Sequence, residues 1–203
     1  IGAHRNYWLG RSGVSHSAAG LSGIELMANT EQKRIGVDLG GTKIEAAVIT
    51  EDHRIVWRER VPTPSGDYHR TLRAIDALVE RAVAENNLPA DFPIGIGVPG
   101  SQSPRTGLMR GCNSVALNDK PLLHDLQAAL ARPVKLANDA DCFALSEARA
   151  GVGRDAGTVF GAILGTGVGG GIVIQQQLLS GPNHNAGEWG HNAMPGDSVQ
   201  GRK

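Results

Sequence analysis

Two short glycine turns hold the residue types that grip a phosphate. One is Asp38-Leu39-Gly40-Gly41-Thr42-Lys43, two residues after Gly36; the other is Gly165-Thr166-Gly167, followed by Gly169 and Gly170. Backbone N–H groups converge on an anion only where no Cβ stands in the way, and glycine removes it. Thr42 and Thr166 add hydroxyl donors, and Lys43 adds a cation. Asp38 supplies hard oxygens suited to Mg2+, directly or through water. Either turn alone reads equally well as an ordinary hairpin turn; the two together favour a clamp on a polyphosphate. Gly165, Gly167 and Gly170 also spell G-x-G-x-x-G, but that fingerprint must open a helix, and Ile172-Val173-Ile174 predicts a strand. No G-x-x-x-x-G-K-[ST] run is present, so a P-loop is excluded.

Asp139 follows Asn138 at a predicted strand-to-helix junction. Two readings stand side by side. Asp and Asn are favoured helix N-caps. A carboxylate at the C-terminal end of a strand also faces the crevice where α/β proteins bind ligands, placed to accept a proton from a hydroxyl. Further on, Gly181 to His191 is dense in hydrogen-bonding groups. Glu188 and His191 are three apart, with Gly187 and Gly190 beside them. The cluster suits a polyhydroxylated ligand and equally describes a solvated loop. His191 by itself identifies nothing. Cys112 and Cys142 lack metal-ligand spacing with each other and read as small apolar packing residues.

These groups need a scaffold, and the hydrophobic pattern supplies one. Ile35–Leu39 and Ile44–Thr50 predict a hairpin around the first glycine turn, with Arg54–Arg60 as a third strand broken at Pro62. Leu72, Ile75, Leu78, Val79, Ala82 and Val83 recur at helical spacing over about 68–85. Phe92–Val98 predicts a strand, Leu122–Leu130 a helix stopped by Pro133, and Val134–Ala137 a short strand. A helix capped at Asn138-Asp139 runs to about Ala150. Thr158–Leu164 and Ile172–Gln176 predict strands around the second glycine turn, and the remainder from Leu178 reads as loop. A domain boundary is expected near Arg154. Residues 1–26 lack any period, and Met27 reads as the natural start.

Composition narrows the classes. The chain has 203 residues, 20 Lys+Arg and 20 Asp+Glu, for a formal net charge of +0, so no global charge draws it to nucleic acid or an anionic membrane. No apolar run approaches a membrane span. Two cysteines make no disulfide framework and fit a reducing, cytoplasmic setting. Gly numbers 28, about twice the average share.

Five segments, in this order and spacing, resemble the ROK family of bacterial sugar kinases. They are Arg34-Ile-Gly-Val-Asp-Leu-Gly-Gly-Thr-Lys43, Gly95-Ile-Gly-Val-Pro-Gly100, Asn138-Asp-Ala-Asp-Cys-Phe-Ala-Leu-Ser-Glu147, Gly165-Thr-Gly-Val-Gly-Gly-Gly171 and Ala186-Gly-Glu-Trp-Gly-His191. The resemblance implies an actin/hexokinase-like (ribonuclease H-like) α/β fold, with the N-terminal domain (34–154) complete and the second (155–203) truncated. It implies a cytoplasmic ATP-dependent kinase, a sugar substrate, Mg2+, and a homodimer when full-length. Gly36, Asp38, Gly40, Gly41, Thr42 and Lys43 look like the first phosphate loop; Gly165, Thr166, Gly167, Gly169 and Gly170 resemble the second. Asp139 looks like the catalytic base, and Gly100, Ser101, Asn113, Asn138, Glu188 and His191 like sugar-pocket residues. In the family, the residue at His191 also binds a structural Zn2+, with cysteines from a following segment that this sequence does not contain.

Glu188-Trp-Gly-His-Asn192, Asn113-Ser114 and Leu117-Asn118 look most like the fructokinase/mannokinase branch, with N-acetylglucosamine kinases and glucokinases close behind. The reaction implied is transfer of the γ-phosphoryl group of MgATP to a hexose hydroxyl, O6 in the favoured reading. The rival readings are a sugar-responsive repressor of the same family and a sugar-binding module without catalysis. The residues before the first strand lack the two helical patterns and basic cluster a helix-turn-helix needs.

Overall fold

The computed structural model describes residues 33–165 and 167–190. Its elements in chain order are β1 (Arg34–Leu39), β2 (Lys43–Ile49), β3 (Ile55–Pro62), α1 (Tyr68–Glu85), β4 (Ile94–Val98), β5 (Ser101–Gln102), β6 (Met109–Arg110), a 3-10 turn (Val115–Leu117), α2 (Leu122–Leu130), β7 (Val134–Asn138), α3 (Asp139–Ala150), β8 (Thr158–Leu164), β9 (Val168–Ile174) and β10 (Gln177–Leu178). The chain forms two compact units that interleave in sequence. Of the described residues, one unit holds 33–97 and 122–136, and the other holds 98–121 and 137–190. α3 shares its core with β8 and β9, which follow Arg154.

The first unit is built on a five-stranded sheet of order β3-β2-β1-β4-β7. β1, β2 and β3 pair antiparallel, and β1 pairs parallel with β4. The register sets Val37 beside Ala46 on one side and Ile96 on the other. Alternation then places Ile35, Leu39, Ile44, Val48 and Ile94 on that same face, and all are buried. α1 lays Ile75, Leu78, Val79 and Ala82 into the core, each 0% exposed. Asp67 starts α1 by accepting a bond from the Arg70 N–H at 2.9 Å. The Tyr68 hydroxyl donates to Asp125 at 2.8 Å, tying α1 to α2.

β3 runs through Pro62 rather than breaking there. Pro62 pairs with Lys43 on an edge strand, where a missing N–H leaves no ladder bond unmade.

In the second unit α3 packs on a three-stranded sheet of order β10-β9-β8, around Ala144, Leu145, Ala148 and Val173. β9 begins at Val168, earlier than the pattern from Ile172 predicts, and ends at Ile174 rather than Gln176. Gln175 and Gln176 take φ of 48° and 65°, the paired left-handed geometry of a tight hairpin turn. They lead into β10, which the expected loop from Leu178 overlooks. β5 and β6 form a small hairpin of their own. No described helix is long and apolar enough to cross a membrane.

Candidate functional site

The second unit gathers most of the residues singled out above. Asn138 caps α3: its Oδ1 accepts from the N–H groups of Ala140 at 2.9 Å and Asp141 at 3.3 Å. Its Nδ2 donates to the Gly100 carbonyl at 3.0 Å. The cap therefore falls to Asn138, and Asp139 is the first helical residue, half-buried, with Oδ1 accepting from the Ala140 N–H at 2.9 Å. Carboxylates in a first helical turn gain from the helix dipole.

Gly100 adopts φ +88°, and a Cβ there would lie 2.5 Å from the Arg110 carbonyl oxygen and 2.8 Å from Cys112 Sγ. Only glycine turns the chain at this point and carries β4 into the β5–β6 hairpin, with Ser101 at its first rung opposite Arg110. Beyond the hairpin, Asn118 closes the loop on both sides. Its Oδ1 accepts from the Cys112 N–H at 2.9 Å and its Nδ2 donates to the Cys112 carbonyl at 3.0 Å. That clamp presents Asn113, which is exposed; a Cβ on Gly167 would sit 3.0 Å from Asn113 Nδ2. Burial, then the charge of Asp139, pushes the Cys112 thiol up to about 11. Cys112 is thus a packed thiol.

The loop after β10 brings Glu188 to the same place. Its Oε1 accepts from the Gly190 N–H at 3.1 Å. The Trp189 indole N–H donates to the Gly169 carbonyl at 3.1 Å and so pins the loop to β9. A Cβ on Gly169 would meet Ala140 Cβ at 3.2 Å and Glu188 Oε2 at 3.8 Å. A Cβ on Gly170 would meet the Gly187 carbonyl oxygen at 2.5 Å. The β9 glycines therefore let the Glu188 loop and the first turn of α3 close on the strand together.

Gly165 and Gly167 close the β8–β9 turn through a bond from the Gly165 N–H to the Gly167 carbonyl at 2.9 Å. A strand, not a helix, follows them, so the G-x-G-x-x-G run is not a dinucleotide fingerprint. Thr166 and His191 lie outside the described residues, as do residues 1–26 and Met27 with the expectations stated for them.

The first glycine turn belongs to the other unit. The Gly40 N–H bonds the Lys43 carbonyl at 3.0 Å, and Thr63 ties both sides of the turn, donating its N–H to the Thr42 carbonyl at 3.0 Å and its hydroxyl to the Gly40 carbonyl at 2.7 Å. Gly41, Thr42 and Lys43 are exposed, while Gly36 is buried in β1 and Asp38 half-buried near its end. An exposed, Cβ-poor turn with a hydroxyl, a cation and a neighbouring carboxylate suits a phosphate with Mg2+. Zinc is different: among the described residues no three His, Cys, Asp or Glu side chains are grouped to hold a metal.

Asp141 is not among the residues singled out above. It lies two residues after Asp139, is 5% exposed, and titrates up to about 7 under the influence of burial, then Asp139, then Glu188. The signal was present as the doubled Asp-Ala-Asp, which resembles a helix start and nothing more.

The family model described as "ROK family" matches residues 34–202. An N-acetyl-D-glucosamine kinase from Vibrio atlanticus is 45% identical over 163 residues, covering 80% of this chain and 53% of that protein. One from Vibrio cholerae is 43% identical, with the same coverage of each chain. The chain spans about half the length of these curated relatives. Among solved structures, a ROK hexokinase from Thermus thermophilus superposes with a TM-score of 0.69 at 35% identity, covering 80% of this chain and 53% of that one. A ROK family glucokinase from Streptomyces griseus, in complex with glucose and AMPPNP, gives 0.70 at 34% identity, covering 79% and 50%.

Proposed function

Since the chain belongs to the ROK family and spans about half the length of its curated relatives, we propose that the full-length protein phosphorylates an amino sugar, N-acetylglucosamine, at O6 with ATP. The observation that carries this reading is the meeting of Asn138, Asp139, Glu188 and the β9 glycines in one unit. Polar acceptors around one carboxylate suit a sugar, whose hydroxyls are donors.

Asp139 takes the proton from the attacking hydroxyl. The sugar oxygen bonds the γ-phosphorus of ATP, and the bond from that phosphorus to the bridging oxygen breaks, releasing ADP. Asn138 and Glu188 orient the sugar, with Gly100, Ser101, Asn113 and His191 as further pocket residues. Gly36, Asp38, Gly40, Gly41, Thr42 and Lys43 form one phosphate loop, and Gly165, Thr166, Gly167, Gly169 and Gly170 the other. When bound, Mg2+ neutralises phosphate charge, and Asp38 is the residue that would hold it. Zinc enters no step.

The amino sugar is favoured over fructose by the names of the relatives: the curated ones above are N-acetyl-D-glucosamine kinases. The fructokinase branch suggested by Glu188-Trp189-Gly190 and Asn113-Ser114 has no support in those names. The solved relatives named hexokinase and glucokinase favour glucose as the second candidate.

A coupled ADP-release assay on the full-length protein, over N-acetylglucosamine, glucose, mannose, N-acetylmannosamine and fructose, tests the reading. The highest kcat/KM is expected with N-acetylglucosamine. Fructose in first place would restore the fructokinase assignment, and no turnover with any sugar would overturn the kinase reading.

A further inference from the structure

Two side-chain bonds tie the loop that carries Glu188 to its surroundings. At the end of the loop the Trp189 indole N–H donates to the Gly169 carbonyl at 3.1 Å. At its middle the Arg110 guanidinium donates from Nη2 to the Asn183 carbonyl at 2.5 Å. The first bond fixes the loop to β9. The second fixes it to the β5–β6 hairpin, and the chemistry above gives Arg110 no role.

The two partners in this second bond differ in rigidity. Arg110 projects from a fixed base. Its neighbour Met109 is 0% exposed, donates its N–H to the Lys120 carbonyl at 2.9 Å and accepts from the Asp119 N–H at 2.9 Å. Arg110 itself pairs with Ser101 across the hairpin, and its carbonyl oxygen lies 2.5 Å from where a Cβ on Gly100 would stand. The loop, by contrast, holds itself by local bonds: the Ala186 N–H to the Ser180 carbonyl and the Glu188 N–H to the Asn185 carbonyl, each at 3.2 Å. Local bonds of this kind give a loop its shape but not its place. A guanidinium rooted on a fixed strand supplies the place.

Place matters because the residues assigned to the sugar come from both partners. Ser101 and Asn113 belong to the hairpin and the turn after it, and Glu188 to the loop. β9 and the turn before it bring them near each other. A Cβ on Gly167 would lie 3.0 Å from Asn113 Nδ2, and one on Gly169 would lie 3.8 Å from Glu188 Oε2. A ligand that touches both sides binds most tightly when they are held at the bound spacing beforehand.

Resting on the sugar-site reading, we propose that Arg110 is a positioning residue: through its bond to the Asn183 carbonyl it holds the Glu188 loop to the β5–β6 hairpin, and so sets how tightly the sugar is bound without entering the chemical step.

The test uses two variants of the full-length protein. Arg110→Met keeps the apolar stem and removes every donor, and Arg110→Gln is neutral and shorter. In both, KM for N-acetylglucosamine should rise about three- to tenfold, the worth of one hydrogen bond from a charged donor. At saturating sugar kcat should stay within about twofold of wild type, and KM for ATP should not move. Hydrogen exchange of the sugar-free protein reads the tie itself: amides of 183–188 should exchange faster in the variants, and those of α3 at the wild-type rate. Wild-type exchange of the loop in either variant overturns the proposal, and so does a loosened loop with an unchanged sugar KM. A fall in kcat that matches the rise in KM, with α3 exchanging faster as well, is general loss of structure and also overturns it. In each of those cases a wild type that turns over the sugar leaves the sugar site standing. A wild type that turns over neither N-acetylglucosamine nor glucose overturns the sugar reading and this proposal with it.

Discussion

The side-chain amide of Asn138 donates to the Gly100 carbonyl at 3.0 Å while its oxygen caps α3. One side chain thus fixes two things at once: the start of the helix that bears Asp139, and the chain reversal that leads to Ser101 and Asn113. Asn138→Ala removes both. Stability should fall by about 1–2 kcal/mol, the worth of a cap together with a partly buried bond. Urea unfolding of the full-length protein reads it, and a loss below about 0.5 kcal/mol would show that this bond supports nothing.

Gly100→Ala should cost more. The new Cβ meets the Arg110 carbonyl at 2.5 Å, backbone that cannot swing aside, and φ of +88° disfavours any L side chain. A loss of about 2–4 kcal/mol is expected in the same unfolding measurement. Sugar affinity should fall with it, because the Asn138 acceptor moves.

Gly165→Val separates binding from folding. Among the described residues a Cβ there meets only the Gly167 carbonyl, at an ordinary 3.9 Å, so the fold should lose no more than about 0.5 kcal/mol. Nucleotide affinity, by calorimetry, should nevertheless fall at least about tenfold if this turn must lie against phosphate. Sugar affinity should hold. An equal fall in both would make the turn merely structural.

Asp141 also gives stability a pH dependence of known sign. Its folded value, about 7, lies above the ordinary carboxyl value of 3.8. Its contribution is therefore full below about pH 4 and is lost as pH rises through about 7. Asp141→Asn escapes that loss. The variant should match the wild type near pH 4 and exceed it by a few kcal/mol at pH 8 in denaturant midpoints. A constant difference across that range would mean that Asp141 does not titrate in the folded protein.

Much of this was legible from residue order. Alternation in Ile35–Leu39 and Ile44–Ile49 marked a hairpin whose inner face is buried, and the helical spacing from Leu72 to Val83 marked α1. The failures cluster at glycine. Gly169-Gly170-Gly171 carries no side-chain pattern, so the start of β9 was invisible; those residues are small because α3 and the Glu188 loop press on them. β5 and β6 are two residues each, too short for any period, and the reversal between them passes through Gly107 at φ 72°. Pro62 read as a breaker because its place on an edge strand is a property of the sheet, not of the local sequence. Asp141 was missed for the same reason: its burial comes from packing.

The most direct test of the account is Asp139→Asn in the full-length protein, assayed for ADP release with N-acetylglucosamine and, separately, for sugar binding by calorimetry. If Asp139 accepts the hydroxyl proton, kcat should fall by about 10²–10⁴-fold with sugar affinity within about threefold of wild type. A variant that turns over at near the wild-type rate would contradict the assignment of Asp139 as the base.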